Sequence, residues 1–188
     1  MRPIQTQLTA VYTLGYSNRS LEEFLEILQA KDIKTLVDVR AYPQSSRYPH
    51  FAGTALRGAM EAASIDYHFA GRHLGAMRKP RTDSIHFALT QEGQRGYADH
   101  MESDAFKTAA RQLTGLAQSA PTTILCAERE PGQCHRSLLA DYLSLQGVTI
   151  IHILDIDTTC DHILHPSVRR ESKQLIYDRH TNLSMDFD

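Results

Sequence analysis

Five short apolar runs, separated by stretches of helical periodicity, constrain this chain more than any other feature. Val11-Tyr-Thr-Leu-Gly15 is the first. It is followed by Ser20-Leu-Glu-Glu23, a capping-box pattern, and by Phe24, Leu25, Ile27 and Leu28 on one helical face. Thr35-Leu-Val-Asp-Val39 is apolar without alternation, which predicts a strand covered on both faces. Beyond it the pattern predicts a helix from about Thr54 to Ala63, a strand from Ile65 to Phe69, helical structure from Gly96 to Ser119 and a strand over Thr122 to Cys126. A helix from Arg136 to Gln146, stopped by Gly147, then leads to a last strand from Val148 to Leu154. Alternation of this kind needs helical crossovers, and right-handed crossovers build parallel sheets. The expected fold class is therefore α/β, with a mainly parallel sheet of about five strands and helices on both faces.

The 188 residues suit a single domain of this Rossmann-like sandwich type. It is expected to span 11–158, between an N-terminal extension (1–10) and a polar, partly ordered C-terminal extension (159–188). With 41% hydrophobic and 22% charged residues, collagen-like, low-complexity and wholly disordered classes are excluded. Val148 to Leu154 is the longest apolar run, interrupted by Thr149 and His152, and is far too short for a membrane span. The first residues lack the apolar core of a signal peptide, and three cysteines are an odd count that suits a reducing compartment. No membrane partner and a cytoplasmic location are expected.

The net charge of −2 hides a polarised chain. From Val39 to Thr82, seven Lys and Arg stand against two acids, so this stretch carries +5 and the remainder −7. His50, His68 and His73 lie in the same stretch, among Tyr42, Tyr48, Phe51, Tyr67 and Phe69. Basic and aromatic side chains together suit phosphate contact and base stacking, so residues 40–81 read either as a nucleotide or nucleic-acid binding surface or as an ordinary solvated face.

In open parallel sheets, ligands collect beyond the carboxyl ends of the strands. The densest chemistry there is Cys126-Ala-Glu-Arg-Glu-Pro-Gly-Gln-Cys134-His-Arg-Ser137, between a predicted strand and a predicted helix. Backbone N–H groups at a helix start, with Arg136 and His135 nearby, favour a thiolate or a bound anion. Cys126, Glu128, Cys134 and His135 are the candidate catalytic residues: a nucleophilic or redox thiol, and groups that move a proton. The two thiols also suit reversible closure into a disulfide. Arg40, Arg136, Ser17, Asn18, Asp38 and His73 are the candidate substrate-binding residues, and Gly15 marks a close backbone approach. Asp38 reads equally as an orienting base and as a cap of the following turn. The substrate class this points to is an anionic small molecule or a nucleic acid. No cofactor is predicted. A zinc or iron site competes, but Cys-x₇-Cys-His is not a standard zinc spacing, and such a site would need His50, His68 or His73 from another loop. The other histidines carry no assigned role.

Several of these elements together resemble one family, catalogued as domain of unknown function 488. They are Tyr12-Thr-Leu-Gly-Tyr-Ser-Asn18, Leu36-Val-Asp-Val-Arg40 with Pro43 and Ser45, Pro49-His-Phe51, His73-Leu-Gly75, Gly96-Tyr-Ala98 with Phe106, the Cys126-to-Ser137 element, and Gly147 with His152-Ile153. The resemblance runs from about Val11 to Ile153. It implies one α/β domain with a site around Cys-x-Glu…Cys-His-Arg, and it brings no agreed reaction. Ala76 stands where a second glycine is usual. More distantly, Leu36-Val-Asp-Val-Arg40 and the strand ending in Cys126 are similar to rhodanese and cysteine phosphatase domains. Their loop is Cys-x₄ or x₅-Arg, whereas Cys126 and Arg136 are spaced Cys-x₉-Arg.

Overall fold

In a computed structural model of the chain, which describes residues 9–172 and 174–179, the apolar runs assemble into one sheet. β1 (Ala10–Gly15), β2 (Thr35–Asp38), β3 (Asp66–Phe69), β4 (Thr122–Cys126) and β5 (Thr149–Asp155) are parallel to one another. β6 (Thr158–Asp161) adds antiparallel to β5, and the spatial order is β3-β2-β4-β1-β5-β6.

Alternating side chains divide the core in two. Val11, Val37, Val39, Ile124 and Ile150 pack against Ala98 and Met101 of α4 (Glu92–Met101), Leu113 of α5 (Asp104–Ser119) and Leu139 and Leu143 of α6 (Arg136–Leu145). Leu14, Leu36, Leu125 and Ile153 face the opposite way, against Phe24 and Leu28 of α1 (Leu21–Ala30) and Leu56 and Met60 of α2 (Gly53–Ala62). Helices thus cover both faces. The capping box starts α1 as its pattern predicts: Ser20 Oγ accepts from Glu23 N–H, and the Glu23 carboxylate accepts from Ser20 N–H. Among the described residues, no helix is long and apolar enough to cross a membrane.

The chain departs from expectation in three places. Helical structure over Gly96–Ser119 is two helices, because Ser103 caps a new one by accepting from Phe106 N–H. The long loop after β3 opens with a single helical turn, α3 (Gly71–Leu74). The sheet has six strands because Thr158–Asp161, wholly exposed and without apolar pattern, is drawn in by its neighbour. Further on, β7 (Val168–Glu171) and β8 (Gln174–Tyr177) form a hairpin, with Val168, Leu175 and Tyr177 joining the core of the α4–α6 face. Residues 1–8 of the N-terminal extension and the last residues from His180 lie outside the described ones.

A buried polar chain ties this C-terminal region to the sheet. Asp141 of α6 accepts from Tyr177 Oη (2.8 Å) and from His162 Nε2 (2.7 Å). His162 Nδ1 in turn lies 2.9 Å from His152 Nε2, and His152 Nδ1 lies 2.7 Å from Thr13 Oγ1. Burial, the neighbouring His162 and then Arg136 push the His152 pKa down to about 4 from 6.5. In that interval the unfolded chain binds a proton that the native state refuses, so stability falls as pH drops from 6.5 toward 4, by up to about 3 kcal/mol. Thermal melts across this range should show a steeper acid limb for the wild type than for His152→Gln, which loses stability at pH 7 but no longer titrates.

Candidate functional site

β4 sits between β2 and β1, and the three strands hand the chain to different faces. From β1 and β2 it passes to α1 and α2 on one side; from β4 it passes to α6 on the other. The divergence opens the sheet's carboxyl edge around Cys126, the last residue of β4.

Cys126 faces the α6 side, and the next segment returns to meet it. Pro131–Gln133 forms a 3₁₀ turn that ends when Cys134 N–H donates to Pro131 O. Cys134 is extended (φ −133°, ψ 148°), whereas His135 is already helical (φ −56°, ψ −19°). This change of backbone lets two adjacent side chains point at one place. Cys134 Sγ lies 2.6 Å from Cys126 Sγ, and His135 Nδ1 lies 3.8 Å and 3.6 Å from the two sulfurs. His135 Nε2 donates to Val39 O (3.2 Å) at the end of β2, which turns Nδ1 toward the thiols. Tyr97 of α4 closes the far side, its ring 5.0 Å from that of His135. The cysteines are free but only 6% and 5% exposed. A hydrogen bond from Cys134 holds the Cys126 thiol well below the ordinary range; burial opposes this, and His135 and the Arg136 charge reinforce it. The bond to Cys126 and burial push Cys134 up. The two thiols are thus shifted in opposite directions.

Arg136 is the other half of the site. Its side chain is 0% exposed, and Nη2 donates to Arg129 O. Among the described residues Nε and Nη1 have no hydrogen-bond partner. The guanidinium packs against the end of β1: a Cβ on Gly15 would lie 2.7 Å from Nη1 and 1.8 Å from Glu128 O. Gly15 is thus a close-approach glycine, as the sequence suggests.

The other expected site residues are placed elsewhere. Glu128 is exposed on the loop between the cysteines and enters the cluster through its backbone and the field of its charge at Arg136. Ser17 N–H donates to Ala127 O, which ties the β1 and β4 loops together, and Asn18 is exposed beside a cleft with Arg19, Arg129 and Asp155. Asp38 and Arg40 bind each other. Asp38 Oδ1 accepts from Arg40 Nε (2.9 Å), Oδ2 accepts from Arg40 Nη2 (2.5 Å) and Tyr67 Oη (2.7 Å), and Arg40 Nη1 donates to Phe51 O (2.8 Å). Asp38 lies on the α1–α2 side, across the sheet from the thiols, because strand neighbours alternate. His73 is exposed and lines a separate 480 Å³ cavity with His68, Phe69 and Leu113.

Much of the basic stretch is likewise engaged within the fold. Arg81 pairs with Glu102 and Asp83 and lies near Asp99, Arg78 donates to the carbonyls of Arg72 and Gly75, and Arg57 lies over the Tyr67 ring. Tyr97 and the Val39 carbonyl had no role in the sequence reading. Gly96-Tyr-Ala98 was the only signal for Tyr97, and a backbone acceptor leaves none.

Two groups among the described residues bring metal-ligand atoms together. Cys126, Cys134 and His135 do so without help from His50, His68 or His73, contrary to the sequence expectation. A tetrahedral zinc ion with bonds of about 2.3 Å, however, holds its sulfurs roughly 3.8 Å apart. The observed 2.6 Å contact is much shorter than that spacing. In the second group, His86 Nδ1 accepts from Tyr177 N–H, so neutral His86 carries its proton on Nε2, facing Glu102 (3.2 Å). That nitrogen is a donor and has no lone pair for a metal.

Fold and site together define an α/β protein with a buried, asymmetric dithiol at the carboxyl edge of its sheet. The model of the family described as domain of unknown function DUF488 matches residues 20–143, so the chain belongs to that family. No curated protein and no solved structure gives a significant match.

Gly15→Ala tests the packing at the site. The added methyl has no space beside Glu128 O and Arg136, so a loss of at least about 1–3 kcal/mol is expected in urea unfolding. Gly58→Ala, on α2 with open space around it, should be neutral or stabilising.

Proposed function

We propose that the protein is an intracellular enzyme that uses the Cys126 thiolate as a nucleophile on an anionic substrate of the nucleotide or nucleic-acid-derived class. One observation carries this reading: a strand-end sulfur accepts a hydrogen bond from a second thiol next to a fully buried guanidinium with two unpartnered nitrogens, Nε and Nη1. An uncompensated buried cation costs several kcal/mol, and a Cys126 thiolate supplies the missing charge. Cys134 then holds the shared proton, and His135, with Nδ1 facing the sulfurs, takes and returns it during turnover. Arg136 and the start of α6 orient the substrate anion, and Glu128 stands on the loop that the substrate must pass. A reducing compartment keeps the pair in this working form.

Alkylation of Cys126 by iodoacetamide, followed by mass spectrometry against pH, tests the thiolate. The groups facing Cys126 are Cys134, His135 and Arg136 from the returning segment and Tyr97 from α4. A lowered thiol pKa keeps the labelling rate on its plateau at pH 7, with loss only on further acidification. Cys134→Ala removes the leading hydrogen bond and should move the midpoint up toward about 8.5, slowing labelling at pH 7 by about tenfold or more. Inorganic phosphate or a nucleoside monophosphate should slow labelling of the wild type. An ordinary thiol profile in the native protein would overturn the thiolate. Indifference of the rate to every anion tried would overturn the substrate class.

A further inference from the structure

The charge around Arg136 depends on the chemical state of the two sulfurs. With both thiols protonated, only the charges of the exposed Glu128 and Glu130 act on the buried guanidinium. With one thiolate, a counter-charge lies inside the fold. With a disulfide, that inner charge is gone, and Arg136 Nε and Nη1 have no hydrogen-bond partner among the described residues. The sulfurs are meanwhile already in contact, and the turn at Pro131–Gln133 holds Cys134 in place, so closing a bond asks little of the backbone. Proximity permits oxidation, while electrostatics favours the reduced form. A couple whose reduced thiolate is selectively stabilised is a ready electron acceptor when oxidised.

We propose that Cys126 and Cys134 are a thiol–disulfide exchange couple for small-molecule disulfides and thiols, with Arg136 as the positioning residue that poises it toward the reduced state. The proposal rests on Cys126 being the thiolate and assigns a disulfide as the class of co-substrate. In the oxidising direction, Cys126 S⁻ attacks one sulfur of a disulfide RSSR; a Cys126–SR bond forms, the RS–SR bond breaks, and RS⁻ leaves. His135 Nδ1 takes the Cys134 proton, Cys134 sulfur attacks Cys126, and the second RS⁻ leaves and recovers that proton. Two electrons pass from the cysteine pair to RSSR, and the products are the intramolecular disulfide, one RS⁻ and one RSH. Access runs through the loop between the cysteines, where Glu128, Arg129, Glu130, Gly132 and Gln133 are exposed.

The test equilibrates the full chain, carrying Cys160→Ser to remove the exposed third thiol, with reduced and oxidised glutathione over a wide range of ratios. Acid quenching and a mass-tagged maleimide then count free thiols. The expected result is a two-thiol transition, without a persistent mixed disulfide, at a ratio rich in oxidised glutathione. Arg136→Met should make the pair at least tenfold easier to oxidise, a shift of about 30 mV, whereas Arg136→Lys should stay closer to the wild type. Melting of the unsubstituted protein's two forms gives a second reading, independent of whether the variants fold. The oxidised form should melt below the reduced form, opposite to the usual effect of a disulfide.

Failure to form the disulfide at any ratio, arrest at a glutathione adduct of Cys126, or a higher Tm for the oxidised form would each overturn the proposal. So would a stoichiometric metal that must be stripped before either thiol is tagged. If Cys126 nevertheless keeps its low-pH alkylation, the thiolate reading stands and only the exchange reading falls.

Discussion

A guanidinium shut away from water is the constraint on which the centre of this molecule depends. Arg136 starts α6, points under the loop that follows β4, and lies against the backbone at the end of β1. Three features of the neighbourhood answer to it. Position 15 carries no Cβ, because the guanidinium and the Glu128 carbonyl occupy that space. The loop after Cys126 turns a backbone carbonyl, that of Arg129, toward Nη2. The nearest groups able to carry negative charge inside the fold are the two thiols, with the Cys126 thiol drawn down and the Cys134 thiol pushed up. Burying a cation is costly, and this local geometry lessens the cost.

The contrast with Arg40 shows what kind of centre this is. Arg40 is also nearly buried beyond a strand end, but Asp38 meets it with two oxygens, Phe51 O takes a further N–H, and the Tyr16 ring lies 5.2 Å away. These bonds engage all three nitrogens of Arg40 and pin the 41–51 loop onto the α1–α2 side of the sheet. Arg136, by comparison, has two nitrogens without a hydrogen-bond partner, Nε and Nη1, beside a polarised sulfur. Two arginines with similar sequence settings, each near a strand's carboxyl end, thus divide between structure and chemistry according to which face their neighbours occupy.

That division also marks the limit of what the sequence makes legible. The five parallel strands are visible because both faces of each are covered, which leaves apolar, β-branched runs, and α1 and the second half of the Gly96–Ser119 segment carry side-chain caps. Cys126, Cys134, His135 and Arg136 stand out because one strand–turn–helix junction holds all four within eleven positions. The pairing of Arg40 with Asp38 is harder to read: these residues are equally suited to holding a phosphate, and only the three-dimensional approach of Phe51 and Tyr67 decides the matter. Strand β6 and the β7–β8 hairpin are too short and too polar to show a period; what fixes them is the chain of partners from Thr13 to Tyr177, none adjacent in sequence.

The identity of the counter-ion matters as much as its presence. The Asp38–Arg40 pair, closed by two side-chain hydrogen bonds, serves as a fastening. A thiolate can be erased in several ways: protonation, alkylation or a bond to a second sulfur each removes its charge while leaving the arginine in place. With a thiolate as the counter-charge of Arg136, the energetics of the fold respond to chemistry at Cys126, and the reverse holds by the same linkage. Whatever stabilises the native packing of β1, the β4 loop and α6 also favours the reduced, ionised sulfur. A buried ion pair at the carboxyl edge, with one member chemically removable, therefore couples stability to reactivity without any moving part beyond the loop that joins the two cysteines.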